Sequence, residues 1–364
     1  MKKLFASALS LLLLCGVTLA ADINPKDPPF NAKCDGVTDD LLALQAAANA
    51  TPVGETLRIP PSNVYSSTGH YIGGCAISNT ININQPINID GGGMYSNIKP
   101  LPSFPPTAPN IQINQSGTYW FGITFSNFGI GDDTIWVPYN RYGGAAIATN
   151  AISIPHLRFI NLDVGESGND YSLKVTGSGT QGTLIKENRI CGGIFLDVAD
   201  STTVKDNKFC GRSQKGIYIN TSGAGGFLFN HNVITAVGGV IFMSGSLPVI
   251  SDNYWEELSG FPFTGTAAIT GVNAALALSS QVSQIRSAQV LSNIFNMGQG
   301  TGYNVYIAAT TLKTNISGTI SNVNTNRPAI YNNNATTVCG PSDWLGRPGP
   351  YFEPLAPAST YGGC

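Results

Sequence analysis

One small pattern recurs along most of this chain and leaves few folds open to it: a residue, then asparagine, then an apolar position one or two places on. It reads SNF around Asn127, INL around Asn161, ENRI around Asn188, DNKF around Asn207, HNVI around Asn232, DNYW around Asn253 and SNIF around Asn293. Between several of these lies a second short apolar alternation that opens on glycine or polar residues: DYSLKV from Asp170, GGIFLDV from Gly192, KGIYI from Lys215 and GGVIFM from Gly238. Two strand types alternating at a period of roughly 20 to 35 residues, with no helical pattern between them, describe a solenoid of stacked β-coils rather than a sandwich of hairpins. One coil cannot bury its inward face alone. Stacked coils therefore pair in parallel and share a core, and asparagines at the bends hydrogen-bond the asparagine or backbone one coil away. Turn chemistry accounts for these asparagines without a functional role.

A solenoid needs covered ends, because open strand edges aggregate. Residues 39–50 place Leu41, Leu42, Leu44, Ala47 and Ala48 at helical spacing, which suits a helical lid over the first coil. Upstream of it, Asp35 and Gly36 suit a tight turn, Thr38 or Asp39 suits the helix N-cap, and Asp39 and Asp40 lie where the helix dipole favours negative charge. These aspartates are read as the start signal of the lid rather than as an acidic active site. At the other end, residues 339–364 are rich in proline and aromatics and read as an irregular cover.

Residues 1–20 carry two lysines, an apolar run and a small residue at the end, the layout of a secretory signal peptide, so the mature chain is expected to begin near Ala21. Leu14 stands before Cys15 where a lipidation signal wants a small residue. Six cysteines then remain, an even number in an exported chain, and none has C-x-x-C spacing. Nearest-neighbour pairing joins Cys34 with Cys75, Cys191 with Cys210 and Cys339 with Cys364. Cys191 follows the ENRI bend and Cys210 the DNKF bend, so the two occupy one phase of successive coils, about 5 Å apart. A formal net charge of −2 with 11% charged residues gives no electrostatic footprint for nucleic acid or an anionic membrane.

The stretch NAKCDGVTDDLLALQAAANA, followed by GETLRIPPSNVY, resembles the N-terminal segment of the pectate-lyase-like superfamily of right-handed β-helix proteins, which includes rhamnogalacturonases, epimerase-like lyases and phage tailspikes. The match covers residues 28–65. Asn31 and Cys34 stand where the family usually has glycine, and Asn63 where glycine usually precedes the tyrosine. The resemblance implies an all-β, single-stranded right-handed parallel β-helix with an N-terminal capping helix, and acidic polysaccharides as the usual ligands. One domain is expected over residues 21–364, with the cap at 28–65, coils at 66–335 and the irregular segment at 336–364.

Glycoside hydrolysis needs carboxyl pairs about 5 to 9.5 Å apart, a spacing that adjacent coils of one face can supply. Asp132 and Asp133 in GIGDDTIWV and Asp170 in GNDYSLKV are the candidates for acid and base. GIGDDTIWV resembles the Gly-Asp-Asp strand of polygalacturonase-type glycosidases, but the downstream Gly-His-Gly and Arg-x-Lys of that family are absent, and a Gly-Asp-Asp turn between strands is the plainer reading. Elimination would instead use Lys174, Arg212 or Lys215 as base, with a cation or arginine on the uronate carboxylate. Asp163, Glu166 and Asp170 could hold calcium, or form only a solvated loop. Trp136, Tyr139 and Tyr142 with Arg141 could stack on sugar faces and pair a carboxylate, or pack over a coil edge. His70, His156 and His231 lack zinc spacing. The expected function is a secreted polysaccharide-degrading enzyme, hydrolase or lyase; the alternative is a non-catalytic carbohydrate-binding or adhesin-like protein.

Overall fold

The computed structural model describes residues 22–61, 73–93, 95–114, 122–131, 141–150, 154–167, 170–211, 215–221, 226–235, 238–256, 270, 273–280, 282, 284–296, 303–308, 311–317, 320–321, 330–332, 338–339 and 352–354. The chain is a single-stranded right-handed parallel β-helix. Each coil runs through sheet I, sheet II and sheet III in turn, as in Ile194–Asp200, Thr202–Lys205 and Lys208–Cys210, and every pairing between successive coils is parallel among the described strands. Strands Asp35–Asp39 and Thr56–Arg58, within the stretch read as the cap, already belong to sheets III and II.

Alternation along each strand sends one side chain inward and the next outward. The inward positions stack Ile, Leu, Val and Phe from coil to coil: Phe125 lies 5.5 Å from Phe159 and Trp255 4.5 Å from Phe295, ring on ring, in the register that pairs their strands. One continuous core results, running from Leu44 of the lid to Ile316.

The bend between sheets II and III takes two residues, and both are specified. The first has left-handed backbone, with φ between 52° and 59° at Asn127, Asn161, Glu187, Asp206, His231, Asp252 and Ser292. The second points into the corner of the core. From Asn188 onward it is asparagine, and Asn188, Asn207, Asn232, Asn253 and Asn293 form a buried ladder whose Nδ2 groups each donate to the next Oδ1 at 2.9–3.0 Å. Each Oδ1 also accepts the backbone N–H of the preceding rung, and each Nδ2 donates to a carbonyl of the coil before, as Asn232 does to Val204 at 3.0 Å. Asn127 and Asn161 differ from the expectation that all seven share one role. They occupy the left-handed position, where asparagine is tolerated, and Phe128 and Leu162 fill the ladder position in their coils.

The lid is helix α1, Leu41–Ala50, buried through Leu44, Ala47 and Ala48. Its start differs from the expected one: Asp40 is the N-cap residue and its side chain does not cap. The carboxylate of Asp39 accepts Leu41 N–H at 3.2 Å, while Asp40, 3% exposed, accepts the N–H groups of Lys33 at 2.6 Å and Cys34 at 2.9 Å. Leu42, read as part of the apolar face, is 85% exposed. Asp35 folds the turn by accepting Val37 and Thr38 N–H. The two family-glycine positions explain themselves here, since Asn31 and Cys34 have φ of 56° and 48°.

Disulfides join Cys34 to Cys75 and Cys191 to Cys210, the latter across directly paired residues of neighbouring sheet III strands. Cys339 ends strand Val338–Cys339, and Cys364 lies outside the described residues.

Two measurements check this architecture. Asn232→Ala removes the acceptor of Asn207 N–H and the donor to Val204, and should lower the unfolding free energy in urea by about 2–4 kcal/mol, the cost of orphaning buried polar groups. Peptide mapping without reductant should recover both disulfides and Cys339 joined to Cys364; reducing the 19-residue Cys191–Cys210 closure should cost about 3 kcal/mol on the chain-entropy model.

Candidate functional site

The outer face of sheet I is where the structure gathers candidate residues. Register places Lys174, Phe195 and Tyr218 side by side in three successive coils, and Thr176, Asp197 and Asn220 beside them two residues on. Their inward neighbours Leu173, Val175, Leu196 and Ile219 are fully buried, so these six point outward by strand alternation.

The connections from sheet III into sheet I line one edge of this face. The connection at 165–172 brings Asp170 and Tyr171, and that at 211–216 brings Lys215. Between them the intervening coil has only Gly192 and Gly193, and a Cβ on Gly193 would come within 2.4 Å of Gly216 O. This notch lets Tyr171 lie across its neighbours. Its ring centroid is 5.5 Å from that of Phe195 and 5.4 Å from that of Tyr218 two coils away, and Lys215 Nζ sits 5.3 Å above it. Lys174 Nζ pairs with Asp170 at 3.5 Å, both partly exposed. Asn220 donates to Asp197 Oδ1 at 2.9 Å and accepts from Ser244 Oγ. The result is a ring platform flanked by two ammonium groups and two carboxylates on a partly exposed surface.

Of the candidates read from sequence, Asp170, Lys174 and Lys215 come together here. Asp132, Asp133, Trp136, Tyr139, Arg212 and His70 lie outside the described residues. Arg141 is a brace rather than a surface cation: it is 5% exposed and donates to Gly165 O at 3.1 Å, Asn110 Oδ1 at 3.0 Å and Gly144 O. Tyr142 is 43% exposed beside it. The three acids proposed for calcium do not converge. Asp163 is on sheet III and paired with Arg189 at 3.1 Å, Glu166 is buried beside Gly211, and Asp170 pairs with Lys174. Among the described residues, the one cluster with metal-ligand spacing is Cys34, Asp40 and Cys75, where the disulfide occupies both sulfurs and backbone N–H groups occupy the carboxylate. His156 and His231 have left-handed backbone at connections between strands.

The sequence reading missed Tyr171, Phe195, Asp197, Tyr218 and Asn220. Their signal was present as period-two alternation in GGIFLDV and KGIYIN, and aligning those strands by their glycines puts Phe195 over Tyr218 and Asp197 over Asn220.

No protein-family model matches the chain, and no curated relative matches it. Solved structures do. The ORF18 protein of Geobacillus virus E2 superposes with a TM-score of 0.53 at 15% identity, over 92% of this chain and 64% of that one. The Streptococcus pneumoniae surface protein and adhesin PfbA gives 0.50 at 12%, over 88% and 100%. The Dettilon tailspike protein gp208 gives 0.49 at 12%, over 88% and 62%. The chain thus spans about two thirds or less of the Geobacillus virus and Dettilon proteins. At these identities the likeness is one of fold.

Burial pushes the Tyr171 hydroxyl well above its ordinary value of 10.0, with the Tyr218 hydroxyl and the Asp170 carboxylate adding to the effect, and burial raises Tyr218 as well. A raised folded-state pKa gives stability that is complete below the unfolded value and lost as pH climbs toward the folded one, because the unfolded chain ionises first. Unfolding free energy should therefore fall as pH rises above about 10, and Tyr171→Phe should flatten that alkaline slope in urea titrations while leaving a smaller slope from Tyr218.

Proposed function

We propose that this chain takes an acidic or substituted polysaccharide onto the outer face of sheet I and cleaves it there, outside the cytoplasm. The observation that carries the reading is the platform of Tyr171, Phe195 and Tyr218, packed within 5.5 Å across three coils and flanked by Lys174 and Lys215. Aromatic rings with one wet edge suit the apolar faces of sugars, and ammonium groups at the rim suit uronate carboxylates or other anionic substituents. Two disulfides fit the oxidising compartment that the signal-like segment at 1–20 leads to.

Asp170 and Asp197 supply the carboxyl pair in the hydrolytic form. One protonates the departing glycosidic oxygen and the other takes a proton from the attacking water, so that water is added across the broken C–O bond. Asp132 and Asp133 remain candidates for the same roles from the sequence. In the eliminative form, Lys174 or Lys215 removes the proton beside the uronate carboxylate, a C=C bond forms and the glycosidic oxygen leaves. A second reading, binding without cleavage, is favoured by one observation: Asp170 is engaged by Lys174 and Asp197 by Asn220. The adhesin among the structural matches is compatible with that reading through its fold alone.

The mature protein is incubated with polygalacturonate, alginate, hyaluronate and xanthan, scoring binding, new reducing ends and unsaturated products. Reducing ends alone mark hydrolysis, and both products together mark elimination. In the hydrolytic case Asp170→Asn and Asp197→Asn should each lose about 10²-fold or more in rate, the usual weight of a general acid or base. Wild-type rates in both variants would refute this site, and binding without either product leaves the binding reading.

A further inference from the structure

The face carrying the platform changes character along the β-helix, and the change is abrupt. Two outward rows run down sheet I. The first passes through Gln112, Ala148, Lys174, Phe195, Tyr218, Ile241, Ala277 and Tyr306, and the second through Asn114, Asn150, Thr176, Asp197, Asn220, Met243, Ser279 and Ala308. Up to Tyr218 and Asn220 the second row is polar and open. Asn114 and Asn150 are exposed, Asn150 Nδ2 donates to Asn114 Oδ1 at 3.4 Å, and Thr176, Asp197 and Asn220 are partly exposed.

One coil further on, both rows become apolar or sealed. Ile241 and Ala277 point outward yet are fully buried; Ser279, Tyr306 and Ala308 are 6–7% exposed. Ile241, Ala277, Tyr306 and Ala308 belong to a second hydrophobic cluster, separate from the interior core, against which Tyr218 and Met243 pack. Tyr218 is thus the last ring of the platform and the first residue of a wall. On the other side the first row is also covered, with Gln112 at 9% and Ala148 at 7% exposure, and only the amide row stays open.

We infer that the glycan site is a one-ended groove: a polysaccharide lies along the Asn114–Asn150–Thr176–Asp197–Asn220 row, and one of its termini abuts the wall at Tyr218 and Met243, the partly exposed residues packed over the buried Ile241 cluster. This rests on the reading of the preceding subsection and adds the mode of engagement. Rungs about 4.8 Å apart give the row a side-chain hydrogen-bonding group at each coil, which suits a regularly hydroxylated chain. Beyond Asn220 the hydroxyls would lose water and meet apolar groups, an uncompensated desolvation. The protein therefore recognises chain ends, not chain interiors, and any cleavage proceeds from an end.

The test counts ends. Size fractions of whichever panel polymer binds, polygalacturonate first, are titrated calorimetrically into the full mature protein. End recognition predicts one protein per polysaccharide chain at every length, and a bulky aromatic amine coupled to one of the two termini should weaken binding by about tenfold or more, the same label on the other terminus having little effect. Asn114→Ala with Asn150→Ala, both exposed and outside the core, should abolish the gain in affinity with oligosaccharide length while short oligosaccharides bind as before. If cleavage occurs, reducing ends should accumulate before viscosity falls. A protein-to-chain ratio that rises with length, or unchanged binding with either terminus labelled, overturns the one-ended groove while leaving glycan binding intact. Absence of binding to every polymer in the panel overturns both readings together.

Discussion

Everything in this structure depends on parallel register held from coil to coil. A parallel strand pair exchanges its backbone hydrogen bonds at a fixed spacing of about 4.8 Å, but a coil must also turn corners, and a corner buries backbone groups that no strand can satisfy. From Asn188 onward the bend between sheets II and III meets this with one left-handed residue followed by one asparagine whose amide, as at Asn232, is fully used: two donors to the next asparagine and to a carbonyl of the coil before, one oxygen accepting twice. The same side chain closes the corner and ties it to both neighbours. A slip of one residue in any coil would point its inward row outward and break the ladder at two rungs.

Register turns one-dimensional sequence into rows on a surface. Because Lys174, Phe195 and Tyr218 share a phase, residues some twenty apart in the chain become lateral neighbours. Side chains from connections then add to the rows. Tyr171 crosses to Tyr218 over a coil that returns through Gly192 and Gly193, and a Cβ on Gly193 would meet Gly216 O.

The fold was legible because its signals are local: the alternation, the turn asparagines and the lid sequence each act within a few residues, and the nearest-neighbour pairing of Cys191 with Cys210 agrees with their shared phase. Asn127 and Asn161 show where that reading was too coarse. Asparagine suits both positions of the bend, one for its tolerance of left-handed backbone and the other for its amide, and the letters do not say which. Arg141 failed for a different reason. A cation in an aromatic loop looks like a ligand-binding group until its three acceptors, Gly165, Asn110 and Gly144, are seen to come from residues distant in sequence or hidden in a turn. The platform itself is a relation among four segments, 165–172, 194–200, 211–216 and 217–221, and no single one announces it.

Connection length varies widely along the exposed face of sheet I. The strands of sheet I keep one parallel register through Lys174, Phe195 and Tyr218, while the connections leading into them span 131–146, 165–172, 192–193, 211–216, 235–239 and 257–273. The shortest falls in the middle of the exposed rows, and the longest two fall on either side of it. Outward residues at the flanks, Ala148 before and Ala277 after, are buried, while those at the centre, Lys174, Phe195 and Tyr218, keep access to solvent. Inserting or deleting residues in a surface connection costs little stability, since closure entropy grows only logarithmically with length. A solenoid can thus move, lengthen or close its binding face by altering connections while its core and its asparagine ladder stay unchanged. That separation explains how the scaffold can be shared at 12–15% identity.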